Sequence, residues 1–301
     1  VSDEILKRIA DSYLRLRNTA RILLSNLNGF DPSVHSLPAD EMLPLDRWAV
    51  DRAAVLQSEI QEAYNAYLFH QIYQKVHNFC AVDMGGFYLD VIKDRQYTTQ
   101  TNSVARRSAQ TAMFHILEAI VRWLAPILSF TAEEIWEHMP GEREPSVHLA
   151  TWYQGLFEMG TEEALGRGFW QQVLEVRVAV SKELERLRVA GGIGSSLDAE
   201  VDLFCGTELF AQLRTLEDEL RFVLISSEAR VHRDTAHEDD LVHFTLSTGD
   251  EVWIAVAPSA HEKCARCWHH REDVGSYPAH PDLCGRCVDN VAGAGEVRRF
   301  A

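Results

Sequence analysis

Four of the six cysteines form two Cys-x-x-Cys pairs, Cys264 with Cys267 and Cys284 with Cys287, separated by 16 residues. This spacing is typical of four-cysteine zinc sites, because a two-residue gap lets one tight turn direct two sulfurs at a single metal. Zinc held by four thiolates has no open position for water, so the site is structural and not catalytic. The sequence therefore predicts one structural Zn²⁺ on these four residues.

Three alternatives compete with this interpretation of the cysteines. Two disulfides would suit an oxidising compartment, but Cys80 and Cys205 stand alone in apolar surroundings, which favours a reducing one. A thioredoxin-like redox pair would use one Cys-x-x-Cys at the start of a helix beside a strand. A mixed ligand set is the third alternative. The histidines near enough to replace a cysteine are His243, His261, His269, His270 and His280.

Length and composition indicate a soluble protein of several domains. A chain of 301 residues exceeds one typical domain, and a hydrophobic content of 46% is enough for real cores. The chain contains no run of 18 apolar residues, and its first residues do not resemble a signal peptide. We therefore expect a cytoplasmic protein.

The formal net charge of −16 is unevenly distributed along the chain. Residues 1–150 carry 14 basic and 19 acidic side chains, residues 151–257 carry 9 and 20, and residues 258–301 carry 6 of each. The two ends can therefore present local positive faces, whereas the middle is strongly acidic. The overall charge by itself gives no indication of nucleic-acid binding.

Residues 1–140 predict an all-α bundle, because apolar residues recur every three or four positions. Helices are predicted at about 3–27, 46–76, 103–124 and 131–138, with two more on either side of a break at Gly85 and Gly86. Ser2 is the predicted N-cap of the first helix, and Ile5 and Ile9 are predicted to face the core. Tyr64, Tyr67 and Tyr73 lie at helical spacing and are predicted to be core residues.

The rest of the chain predicts a small α+β region followed by the cysteine module. Helices are expected at about 161–189 and 208–220, and strands at about 199–205, 221–225, 229–233, 241–246 and 252–257, with an acidic loop at 237–240. The predicted fold class is multidomain and mainly α. We expect a helical-bundle domain at 1–150, a small acidic α+β domain at 151–257 and a zinc-binding module at 258–301.

The sequence contains no pattern for catalysis. There is no Gly-x-Ser-x-Gly, no His-Glu-x-x-His and no group of residues at the spacing of a catalytic triad. The many carboxylates are scattered, which is typical of a solvated surface. We therefore expect this chain to be inactive on its own.

Several segments strongly resemble the C-terminal region of bacterial isoleucyl-tRNA synthetases. The segments are 1–6, 17–19, 79–97, 263–268 and 280–287. The resemblance implies an anticodon-binding helical domain and a zinc-binding tail, and a partner tRNA-Ile. It also implies that the catalytic core, which uses ATP and isoleucine, and the editing domain lie upstream. No His-x-Gly-His motif is present, and five isolated lysines exclude a Lys-Met-Ser-Lys-Ser loop.

The resemblance also implies which side chains meet the anticodon, a single-stranded loop whose bases can stack on aromatic rings or guanidinium planes. Arg266 and Trp268 flank a zinc ligand and are the first candidates. The alternative for Trp268 is a core position inside the zinc module. The candidate phosphate contacts are Arg286, Arg298 and Arg299 in the module, and Arg15, Arg17, Arg95, Arg106 and Arg107 in the bundle. For Arg95 the alternative is an ion pair with Asp90 or Asp94.

Two other functions are compatible with the sequence. A zinc-stabilised protein-interaction module that does not bind RNA is suggested by the acidic middle region. A dithiol redox protein is suggested by the Cys-x-x-Cys pairs and would bind no metal. We expect a monomer whose partners are tRNA-Ile and the upstream domains of the same polypeptide, with no membrane association.

Overall fold

The computed structural model describes residues 2–160, 163–233 and 241–301. The chain forms two compact units. The helical unit comprises Val1–Gln96 and Thr101–Gly160, and the zinc-bearing unit comprises Tyr97–Gln100 and Thr161–Ala301. No helix in the described ranges combines the length and the apolar character needed to cross a bilayer.

The helical unit confirms the predicted all-α architecture. Its helices are α1 (Asp3–Asn26), α2 (Pro32–His35), α3 (Pro44–Asn65), α4 (Phe69–Asn78), a π-helix (Phe79–Tyr88), α5 (Leu89–Thr98), α6 (Val104–Leu124) and α7 (Ser129–His138). The backbone N–H of Ile5 donates to the Ser2 hydroxyl at 3.4 Å, so Ser2 caps α1 as predicted. Ile5 and Ile9, however, are 51% and 56% exposed, so their predicted inward orientation is wrong.

The predicted helix at 46–76 is two helices. Tyr67 adopts a left-handed backbone conformation with φ of 57°, and the N–H of Leu68 returns to the carbonyl of Ala63 at 2.8 Å. This bond ends α3, and α4 begins at Phe69. The break contains neither glycine nor proline, so no residue type marks it in the sequence. Tyr67 is 78% exposed, which contradicts its predicted core position.

The glycine pair does not interrupt the helix, contrary to the prediction. Residues 79–88 form a π-helix that runs on directly into α5. A Cβ atom on Gly85 would lie 3.1 Å from the carbonyl oxygen of Cys80, closer than side chains normally allow. Glycine is therefore required by crowding against the preceding turn, and it does not act here as a helix breaker.

A buried polar cluster joins α3, α5 and α6. Asp46 lies at its centre and is fully buried. The Tyr88 hydroxyl donates to Asp46 Oδ1 at 2.6 Å, and Arg95 Nη1 donates to Asp46 Oδ2 at 2.8 Å and to the Ala105 carbonyl at 3.0 Å. The Ser108 hydroxyl donates to the same carboxylate. Every acceptor site on this carboxylate plane is thus engaged, as a buried charge requires.

The zinc-bearing unit contains a four-stranded sheet with helices packed against it. Its elements are α8 (Arg167–Val189), β1 (Ala199–Cys205), α9 (Thr207–Arg214), α10 (Leu220–Leu224), β2 (Glu228–Arg233), β3 (Val242–Thr245), β4 (Glu251–Pro258) and α11 (Gly285–Ala292). The strand order is β2-β1-β4-β3, with β1 parallel to β2 and antiparallel to β4. Alternate residues of β1, from Ala199 to Cys205, are buried, as the sequence alternation predicts.

Three predictions for this unit change. The helix predicted at 208–220 is α9, which ends at Arg214 and is followed by a separate 3₁₀ turn at Glu217–Glu219. The strand predicted at 221–225 is helix α10, which ends where Ile225 turns left-handed with φ of 56°. The helix predicted from 161 begins at Arg167 in the described chain. The acidic loop at 237–240 lies outside the described residues. The predicted division of the chain at 150 and 257 stays a prediction.

Candidate metal centre and nucleic-acid interface

The four cysteines converge on one point. Their sulfur atoms all lie within 4.8 Å of one another, and the four side chains are buried. The Sγ atoms of Cys267 and Cys284 are 3.7 Å apart. A tetrahedral Zn²⁺ with Zn–S bonds of about 2.3 Å places its sulfurs about 3.8 Å apart, so the cluster has the dimensions of a four-thiolate zinc site.

Two local structures deliver these ligands. Cys264 and Cys267 lie in a tight turn in which the N–H of Trp268 donates to the Cys264 carbonyl at 3.0 Å. Cys284 is the N-cap of α11, so Cys287 lies one turn later on the same side of the helix. Gly285 between them is required, because a Cβ there would lie 2.8 Å from the Asp273 carboxylate.

The four thiol groups interact directly with one another. Hydrogen bonds among them lower the pKa of Cys267 and raise the pKa of Cys284 and of Cys287. The backbone N–H of Cys284 donates to Cys264 Sγ at 3.4 Å, and Arg266 Nη1 lies 3.9 Å from Cys287 Sγ. Among the residues that the structure describes, no histidine belongs to the cluster. The predicted four-cysteine set is therefore preferred over the mixed set.

Trp268 extends from the first cysteine turn into solvent. Its side chain is 62% exposed, and its backbone has a left-handed φ of 66°. A bulky residue rarely adopts this conformation, which costs about 1–3 kcal/mol and is found most often at functional sites. Trp268 is therefore not a core residue of the zinc module. The turn holds its indole ring outward at fixed geometry.

Arg266 and Arg286 both contact Thr98, which belongs to the same unit. Arg266 Nη1 donates to the Thr98 carbonyl at 2.6 Å, and Arg286 Nη1 lies 3.5 Å from the Thr98 hydroxyl. Arg286 is also paired with Glu296 at 3.2 Å. Arg266 is half-buried and thus anchored through its guanidinium, whereas Trp268 next to the same ligand is open.

Two protein families match the chain. Residues 46–203 match the anticodon-binding domain of tRNA ligase, and residues 262–290 match the zinc finger found in FPG and IleRS. The first match covers more than half of the 301 residues. The chain belongs to the anticodon-binding family of tRNA ligases. Its four cysteines lie in the segment that matches the zinc finger, and they form a site for one structural Zn²⁺.

The most similar relatives include isoleucine–tRNA ligases of Thioalkalivibrio sulfidiphilus (strain HL-EbGR7), 62% identical over 301 residues, and of Pseudomonas aeruginosa (strain PAO1), 59% identical over 301 residues. Each alignment covers all of this chain and 32% of the relative. The chain thus spans about a third of the length of the curated relatives it matches.

The arginines predicted to contact RNA in this anticodon-binding chain differ in accessibility. Arg15 and Arg299 are exposed, and Arg17 is half-buried in an ion pair of 2.8 Å with Glu134. Arg95 and Arg298 are only 1% and 7% exposed. Arg95 is paired with the buried Asp46. Direct RNA contact by Arg95 is therefore contradicted by its burial.

Several residues of the zinc-bearing unit were missed by reasoning from the sequence. Arg221, Phe222 and Arg271 lie against the cysteine module, beside Cys267 and Cys284. Residues 97–100 also belong to this unit, although they follow the helical bundle directly in sequence. No spacing or composition signal connects these distant segments, since only chain folding brings them together.

Proposed function

We propose that this chain is the tRNA-binding C-terminal region of a cytoplasmic, monomeric isoleucine–tRNA ligase, and that it reads the anticodon loop of tRNA-Ile. The whole enzyme joins isoleucine to tRNA-Ile using ATP, with the catalytic core in the part of the polypeptide outside this chain. The close relatives with that name and the anticodon-binding match support this proposal.

The observation that carries the proposal is the exposed Trp268 on a metal-fixed turn. An anticodon base stacks on such a ring without reorganising the protein, because Cys264 and Cys267, which precede Trp268 in the same turn, hold the backbone at the metal site. Arg266 positions this turn through its bond to Thr98. Arg299 and Arg15 are exposed and remain the predicted phosphate contacts. Arg286 and Arg17 are less available to bind phosphate, because each is already engaged in an ion pair.

The test is a titration of the zinc-loaded chain with the anticodon arm of tRNA-Ile. Replacing Trp268 by alanine removes one base stack, worth about 1–3 kcal/mol, so affinity should fall about 5- to 150-fold. Phe130, 94% exposed on α7, provides the matched control, because Phe130→Ala removes an exposed ring without touching the module. Unchanged affinity in Trp268→Ala with full zinc content would rule out this assignment.

A second candidate function rests on the acidic residues of the segment 151–257, which contains 20 acidic and 9 basic side chains. A zinc-stabilised module that binds a basic protein partner would explain this charge. RNA binding predicts an affinity that falls steeply as salt rises, because phosphate contacts release counterions. If the chain shows no salt-dependent binding to the anticodon arm, the protein-interaction function is favoured.

A further inference from the structure

A cavity of about 410 Å³ lies beside the zinc cluster, within the zinc-bearing unit. Cys267 and Cys284 form part of its wall. Five arginines, five carboxylates, Phe222 and Val297 line the rest. The arginines are Arg221, Arg271, Arg286, Arg298 and Arg299, and the carboxylates are Glu217, Asp218, Glu219, Asp273 and Glu296. The segments that supply them are far apart in sequence, so the cavity exists only in the folded unit.

Three of the guanidinium groups surround the ring of Phe222. Their Cζ atoms lie 4.4 Å (Arg221), 5.0 Å (Arg286) and 3.4 Å (Arg298) from the ring centre. The ring faces attract cations and fix the planes of the arginines. Arg221 and Arg298 are only 5% and 7% exposed, so these are positioned groups and not mobile surface charges.

Two of the five carboxylates at the cavity, Glu219 and Glu296, are engaged by several other donors, whereas Asp273 accepts the Gly285 N–H at 2.7 Å through Oδ2 and leaves its buried Oδ1 without a partner among the described residues. Glu219 accepts three consecutive backbone N–H groups, from Arg299 at 2.7 Å, Phe300 at 3.0 Å and Ala301 at 2.8 Å. Glu296 accepts from Asn290 at 2.9 Å as well as from Arg286 and Arg298. Asp218 and Glu217, the partners of Arg221 and Arg299, are 58% and 60% exposed and lie toward solvent.

Arg221 and Arg271 have more N–H donors than the neighbouring carboxylates and carbonyls accept. Arg221 Nε donates to the Asp218 carbonyl at 3.2 Å, and Arg221 Nη2 donates to the Asp218 carboxylate at 2.8 Å. These bonds use two of the five N–H groups of Arg221. Arg271 uses Nη1 for Glu228 at 2.5 Å and for the Ser227 carbonyl at 3.3 Å. Burial lowers the pKa of Arg221, the charge of Asp218 opposes this change, and the nearby charges of Arg271, Arg286 and Arg298 lower the pKa further.

We propose that this cavity binds a phosphodiester group of the RNA backbone, held by Arg221 and Arg271 with Arg299 at the rim. The inference rests on the proposed function and deepens it, because it names where the backbone is held while Trp268 stacks a base. A phosphate offers several acceptor oxygens in a tetrahedral arrangement, which guanidinium groups approaching from different directions can share. A flat carboxylate offers only two oxygens and would leave most of these donors unused.

The decisive experiment measures the salt dependence of anticodon-arm binding by the zinc-loaded chain. Arg271→Gln and Arg299→Gln should each weaken binding roughly tenfold and make the plot of log affinity against log salt shallower by about one unit. Arg188→Gln is the matched control, because Arg188 is a half-exposed arginine on α8 that pairs with Glu185. It should change neither quantity.

Two further measurements separate this inference from the proposed function. If Trp268→Ala weakens RNA binding while Arg271→Gln and Arg299→Gln change neither affinity nor slope, the cavity assignment is overturned and the proposed function stands. If no RNA binds at all, both are overturned. A titration with inorganic phosphate, followed by NMR of the arginine Nε–H groups, then shows whether the cavity is a site for free phosphate, with saturable shifts at Arg221 and Arg271.

Discussion

The helical unit and the zinc-bearing unit both bury arginines, but they use them in opposite ways. In the helical unit, Arg95 contacts one carboxylate, Asp46, which also accepts hydrogen bonds from the hydroxyl groups of Tyr88 and Ser108. In the zinc-bearing unit, Arg221, Arg286 and Arg298 surround Phe222, while the nearby Glu219 is satisfied by backbone N–H groups. The first network is centred on one fully engaged carboxylate, whereas the second contains Arg221, which uses two of its five N–H groups in the bonds described above.

This difference shows how the same residue type takes on different roles. A closed buried pair contributes specificity and becomes costly only when one partner is removed. Arginines whose N–H groups are only partly used by neighbouring carboxylates can share the remaining donors with an anion. The use of these donors, and not the burial of the arginines, distinguishes a structural cluster from a candidate binding site.

The largest expected effect concerns the zinc site, which lies beside the arginines around Phe222. Cys284→Ser removes one ligand, and structural zinc contributes on the order of 10 kcal/mol to the folding of small modules. We expect loss of zinc and fast hydrogen exchange over residues 258–301, while the helical unit keeps its protection. The control, Cys80→Ala, changes a buried cysteine of the helical unit and should retain one zinc per chain. Full zinc content in Cys284→Ser would contradict the four-thiolate assignment.

The next prediction concerns how much the network of Asp46 and Arg95 stabilises the helical unit. Asp46→Asn leaves Arg95 buried without a charged partner and should cost about 3–5 kcal/mol in urea unfolding of the helical unit. The double variant Asp46→Leu with Arg95→Met should recover much of this loss, because it buries no charge. Arg8→Gln breaks the exposed pair with Glu4 and should change stability by less than about 1 kcal/mol. An equally small effect in Asp46→Asn would show that the network is not needed.

The pH dependence of stability gives a third, smaller effect in the helical unit. Burial lowers the pKa of His115 to about 4 from its ordinary 6.5. The unfolded chain therefore binds a proton that the folded chain does not as pH falls from 6.5 to 4, and stability decreases by about 3 kcal/mol over that window. His115→Gln should remove this part of the decrease, as followed by urea unfolding at pH 7, 5.5 and 4. An unchanged pH profile would place the titration elsewhere.

The smallest effect separates the backbone of the zinc turn from its ring. Glycine adopts a φ of 66° without strain, so Trp268→Gly should raise the stability of the module by about 1 kcal/mol. Trp268→Ala should lack this gain, since alanine is strained in the same conformation. Both variants should lose affinity for the anticodon arm. A Trp268→Gly module that melts at a lower temperature would mean that the indole ring is part of the core after all.

The sequence predicted the elements whose signals are local. The helix of α6, the cap at Ser2 and the alternation of β1 follow from spacing over a few residues, and the structure confirms them. The break at Tyr67 and the helix at 220–224 could not be predicted, because their backbone conformations carry no glycine or proline signal. Both depend on how the neighbouring elements pack.

The candidate site divides in the same way. Spacing alone determined the four zinc ligands, since Cys264 and Cys267 reach one metal through a turn that any two-residue gap allows. Only the tertiary structure decided that Trp268 is exposed, that Arg95 is buried against Asp46, and that Arg221 meets the zinc module. The physical reason is distance along the chain: Asp46 lies 49 residues from Arg95, and exposure depends on which remote segment packs against a side chain.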